Sequence, residues 1–302
     1  MSGVQEMSTL ALVKIYRNDF EQAIKRALSM IEDGLPSKAD NIVIKPNMCY
    51  YWDYTTGQTT DPRFVKAIIN IVREKFGQDV DIAIVESDAS AMKCRYAFKI
   101  LGYEKLSKET GVRLVNLSED EKDYVNVTAG KMSFHVGVPK TITKSDFRIN
   151  VTKIKYSLDA IGITCALKNI FGCNPYPRKY RYHPILDETI VAMNKAMSFH
   201  LVIVDGNIVS GVKPRKLGLV MVGKDPVSID MVAARIAGVK KPIKYISLAE
   251  KEGLGNKSFI CKGVSLDYFE KRYPRKQIMN KALTMLYNLA VNMHLETKLG
   301  LE

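Results

Sequence analysis

Short β-rich apolar runs alternate along the chain with longer stretches whose apolar residues recur at helical spacing. Leu10–Tyr16, Ile42–Lys45, Ile82–Glu86, Val112–Leu117, Phe147–Val151, Leu201–Asp205 and Leu217–Val222 read as strands. Between them, Asp61–Phe76 opens with Asp-Pro and places Phe64, Val65, Ile68, Ile69 and Val72 on one helical face, with Asp61 as the expected N-cap. Asp225–Ala237 repeats that design, and Pro184–Met197 and Pro242–Gly253 start with proline in the first turn. Strand followed by helix, again and again, predicts an α/β fold: a largely parallel sheet with flanking helices. Asn116 to Lys144 departs from the rule, since its alternating residues around Ala129–Gly130 predict a β-hairpin inserted into the fold. The insertion makes 117–146 a sub-lobe, and a two-lobed molecule, of a body spanning 1–274. Residues 275–302 form a terminal unit with Ile278, Ala282, Leu283, Leu286, Leu289 and Ala290 at helical spacing among Arg275, Lys276 and Lys281.

Composition changes this picture little. Of 302 residues, 46% are hydrophobic and 25% charged, values of an ordinary globular chain that needs no staples. The five cysteines are scattered and odd in number, which points to a reducing compartment and away from a disulfide framework or a zinc ribbon. The opening residues are too acidic and polar for a signal peptide, and no run reaches the roughly 18 apolar residues of a membrane span, so a cytoplasmic protein is expected.

Charge changes it more. A net charge of +13 would draw the protein toward phosphates, nucleic acid or anionic lipid. The excess is spread along the chain rather than blocked, so a solvated lysine-rich surface competes with the nucleic-acid reading. The basic amphipathic tail docks on the body, makes a subunit contact or touches a membrane surface.

Chemistry concentrates at strand ends, where parallel sheets place their ligand sites. Lys45-Pro46-Asn47 ends one strand, and Thr59-Thr60-Asp61 precedes a helix whose free N–H groups favour anions. Arg148 to His183 is the densest stretch: Asn150, Lys153, Lys155, Thr164, Lys168, Asn169, Lys179 and His183 are interleaved with Ile154, Ile161, Ile163, Leu167, Ile170 and Phe171. Amines among apolar residues are expensive to desolvate without an anion or carboxylate to compensate, so this pattern predicts a binding cleft. Lys45, Asn47, Thr60, Lys153, Lys155, Thr164 and Asn169 are the expected ligand holders, and His183, Asp205 and Lys168 the expected catalytic groups. Carboxylates also end strands at Glu86-Ser87-Asp88, Asp205-Gly206-Asn207 and Asp225-Pro226 with Asp230, where such groups take a proton, hold a lysine or bind a metal; the competing readings are a turn for Asp205-Gly206 and a helix cap for Asp225. Cys165 and Cys173 read as small apolar residues, and His135, His200 and His294 as structural; no metal ligand is assigned. Because parallel strands emerge on one edge, the Lys45–Asn47 loop and the Lys153–Asn169 segment are expected to meet in a single anion-binding cleft.

Eight short motifs in order, IVIKPNM, TTDP, IVESDAS, RINVTKIK, ITCALKNIFGC, IVDGNI, VGKDPVSIDMVAARIAG and EKEGLGN, resemble the uncharacterised family known as domain of unknown function 362, across roughly residues 40–258. The resemblance implies a fold rather than a reaction. Many relatives carry a ferredoxin-like module whose cysteines hold iron–sulfur clusters, and this chain has no such module, which leaves its cofactor unknown and opens a ferredoxin-like partner supplied in trans. Where the family pattern continues its lysine into Thr-His, this chain has Tyr156-Ser157 after Lys155, so that histidine is absent and His183 remains. The sequence thus predicts an enzyme or ligand-binding protein for a small anionic metabolite, carboxylate or phosphate. The alternative is a binding module for nucleic acid or a redox partner, without catalysis.

Overall fold

In the computed structural model, residues 7–32, 34–157 and 162–274 are described, so the expected amphipathic tail lies outside them. Twelve strands are found there: β1 (Ser8–Lys14), β2 (Asn41–Pro46), β3 (Asp81–Glu86), β4 (Arg113–Asn116), β5 (Lys122–Ala129), β6 (Met132–Pro139), β7 (Phe147–Thr152), β8 (Lys155–Tyr156), β9 (Ile163–Thr164), β10 (Leu201–Val209), β11 (Arg215–Gly223) and β12 (Phe259–Gly263). Eight of them form one sheet in the order β12-β1-β11-β10-β7-β2-β3-β4. Only the two pairings made by β11 are antiparallel, so every other strand of that sheet points its carboxyl end to the same edge.

The apolar runs are near-continuous because both faces of this sheet are covered. Ile42 and Ile44 of β2, Ile82 and Ile84 of β3, and Ile149 and Val151 of β7 face the helices Phe20–Leu28, Pro62–Phe76, Cys94–Ile100 and Tyr103–Thr110. Val43, Ala83, Val85, Val202 and Val204 face the other way, onto Ala166–Ile170, Leu186–Ala196, Pro226–Ile236 and Lys244–Lys251. The period-two alternation therefore sorts each strand into two cores, one per face. Capping follows the reading above: Asp61 accepts from Arg63 N, and Asp225 from Val227 N and Ser228 N.

The hairpin is present as its own sheet, β5–β6, but its tight turn is one residue later than expected. Ala129 pairs with Met132, which leaves Gly130 and Lys131 as the loop, with Gly130 at φ +60 where a two-residue turn calls for glycine. Its Ala129, Val136 and Val138 join the core under Leu186–Ala196, so the hairpin packs on the body. Two further expectations shift. The helix expected from Pro184 starts at Leu186, because Lys179–Ile185 winds as a tighter 3₁₀ segment with Pro184 inside. The strand expected to stop at Asp205 continues to Val209 through an irregularity after Gly206. There, a Cβ would sit 2.9 Å from Leu219 O, so only glycine lets β10 and β11 stay paired.

Among the described residues, no helix is long and apolar enough to cross a membrane.

Candidate functional site

Topology decides where polar groups gather. From β2 the chain winds outward through β3 and β4, and β7, paired to the other side of β2, leads on to β10. The winding direction reverses between β2 and β7, and such a switch opens a crevice beyond the strand ends. Lys45 lies opposite Asn150 in the β2–β7 register, so the two distant polar segments are brought together as expected.

Beyond these ends lies a cavity of about 570 Å³. Lys45, Lys155, Lys168 and Lys179 line it, with Glu86 as the one lining carboxylate among the described residues; Asn47, Thr164, Asn169 and His183 line it as well. Lys45 and Lys168 thus reach one cavity rather than opposite faces.

Four buried amines here have partners. Lys45 Nζ lies 2.7 Å from Glu86 Oε2, at the end of the neighbouring strand, and donates to Pro46 O. Gly172 presses on this pair: a Cβ there would stand 3.0 Å from Lys45 Nζ. Lys155 donates to Asn47 Oδ1 at 2.7 Å and to Gln58 O at 3.0 Å. Lys179 donates to Ser87 Oγ and Gly172 O. Lys153 lies 3.1 Å from Asp205 Oδ2 and donates to Ile208 O.

Lys168 differs. Its side chain is partly exposed through the cavity, yet its amine is set deep among protein atoms, and among the described residues it has no hydrogen-bond or ion-pair partner. Burial, reinforced by the neighbouring Lys155 ammonium, lowers its pKa to about 8. Lys179 is also lowered to about 8, by burial against the counter-pull of Glu86, and Lys155 is lowered by burial.

The three asparagines form a chain with one direction. Lysine can only donate, so Asn47 must present its oxygen to Lys155 and its NH₂ to Asn169 Oδ1, at 2.8 Å. Asn169 donates in turn to Asn150 Oδ1 at 2.7 Å, and Asn150 to Ala166 O at 2.9 Å. A donor at one end and a carbonyl at the other leave each amide a single orientation. The helix Ala166–Ile170, which carries Lys168 and Asn169, is held at its start by Asp230, which accepts from Ala166 N at 2.6 Å and Leu167 N at 3.2 Å. Burial raises the pKa of Asp230 to about 7, against the pull of those two N–H groups.

Three expected site residues lie behind the cavity wall. Asp205 sits within β10 rather than at its end, fully buried, where it takes Lys153, Asp61 N and Asn207 N. Thr60 is sealed, accepting from Asn47 N and donating to Val151 O. With Lys153, these two brace the wall. His183 does line the cavity, its ring edge-on to Tyr180 at 5.1 Å between centroids.

Other lining residues are less legible in sequence. Glu86 reads there as a strand-end carboxylate able to hold a lysine, but not which one, because Lys45 is 41 positions away and the two meet only across the sheet. Cys49, half-buried, faces the Lys155 amine from the loop after β2. Ser210 lines the cavity with its hydroxyl buried and unpartnered among the described residues. The mouth carries Tyr50 and Trp52, whose rings are 5.5 Å apart, and Tyr50 O–H is 3.2 Å from Tyr180 O–H. Tyr50 holds φ +52, a left-handed conformation that costs a non-glycine residue about 1–2 kcal/mol.

Cys165 and Cys173 are buried, burial pushes both thiols up, and Cys173 reaches about 12. His200 packs on Phe147 and accepts from Arg148 N; His135 stacks on Tyr124. Among the described residues, no three of His, Cys, Asp and Glu come together as a metal-holding group.

Fold and site together define an α/β protein with a lysine-lined cleft at the winding switch of a mostly parallel sheet. The family model for "Domain of unknown function (DUF362)" matches residues 42–235, and the chain belongs to that family. No curated protein matches the chain. Among solved structures it is similar to the lactate racemase apoprotein from Thermoanaerobacterium thermosaccharolyticum, with 16% identity and a TM-score of 0.45 over 77% of this chain. This chain spans 57% of that protein's length.

Proposed function

We propose that the cleft binds a small anionic metabolite through a carboxylate or phosphate group, as an enzyme or as a ligand-binding protein. One observation carries this reading: among the described residues, four lysines and a single carboxylate line one cavity. An ammonium has three donors, and Lys45 and Lys179 each engage two of them on protein atoms, which leaves one apiece. Like charges gathered in low dielectric repel, and a bound anion relieves that repulsion while taking up the remaining donors. Asn47 and Asn169, fixed in orientation by their chain, set the shape of the floor.

Thermal unfolding with phosphate, sulfate, acetate and citrate against chloride at equal ionic strength tests the reading. A rise in melting temperature specific to one of these oxyanions, reduced in Lys155→Met, supports it. Identical curves in all five salts count against it.

A second reading, nucleic-acid binding, draws on Tyr50 and Trp52 exposed at the mouth and on Arg181 lying over the rings of Tyr176 and Tyr182. Phosphate-dominated binding falls steeply with salt. Absence of salt-sensitive retardation of RNA and single-stranded DNA at low ionic strength removes this reading.

A further inference from the structure

We infer that Lys168 is a nucleophile that forms an imine with a carbonyl group on the bound anion, which makes 2-oxo acids the ligand class; this rests on the anion-binding reading above. The geometry sets Lys168 apart from the other lysines of the cavity. Lys45 is bound to Glu86 and Pro46 O, Lys155 to Asn47 and Gln58 O, and Lys179 to Ser87 and Gly172 O, so their lone pairs are unavailable while those bonds hold. Among the described residues, Lys168 opens onto the same cavity with no partner, and no carboxylate beside it holds its proton. A desolvated amine next to another cation is the arrangement that makes lysine a nucleophile near neutral pH. Asp230 and the asparagine chain fix the short helix that carries it, so the amine is presented from a braced element.

The neighbouring Lys155 ammonium would take the carboxylate of a 2-oxo acid and set the adjacent ketone or aldehyde carbon toward Lys168. The neutral amine attacks that carbon, forming a C–N bond as the C=O π pair moves to oxygen, which is protonated to give a carbinolamine. The hydroxyl then leaves as water with a proton from a pocket acid, a role open to His183 or Lys179, both of which line the cavity. Overall, one lysine ammonium and one carbonyl compound give one iminium ion and one water, with no oxidant or reductant consumed.

Borohydride reduction makes this bond permanent and readable. The whole protein is incubated at pH 8 with glyoxylate or pyruvate, the two smallest 2-oxo acids, then reduced and measured by intact mass and peptide mapping. Acetate with borohydride serves as the carbonyl-free control. One adduct per chain, mapped to Lys168 and lost in Lys168→Arg, is the expected result. The mapping is done on the unaltered protein, so it does not depend on that variant folding. No adduct with either acid, or adducts spread over surface lysines with Lys168 unlabelled, overturns the inference. If oxyanions still raise the melting temperature in that case, the anion-binding reading survives alone; if they do not, both fall.

Discussion

Lys153 and Lys168 come from the same lysine-rich stretch and are set into the same end of the sheet, yet they have opposite surroundings. Lys153 is sealed behind the wall against Asp205, whose remaining acceptor capacity serves Asp61 N and Asn207 N. Lys168 opens on the cavity with no counterion among the described residues. The contrast teaches that a buried lysine is not by itself a sign of chemistry. A paired one fixes the wall, and an unpaired one facing a cavity is available to a ligand.

The contrast breaks most visibly at Asp205. Asp205→Ala leaves the Lys153 charge buried without a partner, so unfolding free energy from urea titration should fall by about 3–5 kcal/mol. A loss within error of zero would show that the pair does not brace the wall. Asp230→Ala comes next. It removes the acceptor of two helix-start N–H groups, for an expected loss of about 2 kcal/mol in the same titration. It should also weaken oxyanion stabilisation, since Lys168 and Asn169 ride on that helix. Lys168→Met should have the smallest effect on folding, with stability unchanged or higher by about 1 kcal/mol because a desolvated charge is removed. Oxyanion affinity should nonetheless drop roughly tenfold, equivalent to about 1.4 kcal/mol.

The pH dependence sharpens the same point. Lys168 and Lys179 titrate near 8 in the folded protein against an ordinary 10.5. Below about pH 8 both states hold these protons, and the native state bears the burial penalty. Between about 8 and 10.5 the unfolded chain binds more protons, so these two groups make stability rise with pH. Oxyanion binding should move the other way and weaken as pH passes 8, because the cations are being lost. A Lys168→Met variant with the same stability slope over that window as the unaltered protein would falsify the assignment of Lys168 to it.

How much of this was legible in sequence depends on distance. The strands of the large sheet up to β11, the helix caps at Asp61 and Asp225, and the meeting of the Lys45 and Lys168 segments follow from periodicity, local capping and parallel topology. What stayed hidden is the sorting of lysines into paired and unpaired. Lys45 finds Glu86 across two strands, and Lys153 finds Asp205 across β7 and β10, contacts that no local spacing encodes. Asp205 was misplaced for a related reason. Asp-Gly looks like a turn, but Gly206 serves close packing on Leu219, and the strand runs on.

The one-way amide chain from Lys155 through Asn47, Asn169 and Asn150 to Ala166 O has a further consequence. It behaves like a row of compass needles pinned by the charge at its head. As long as Lys155 keeps its proton, no single amide can turn over without setting oxygen against oxygen or NH₂ against NH₂. Were Lys155 to become neutral, its lone pair could receive a hydrogen bond and the pin at the head would be released, while Ala166 O would still hold the tail. The carboxamide NH₂ resonances of these asparagines should therefore serve as built-in reporters of the charge on an amine several bonds away.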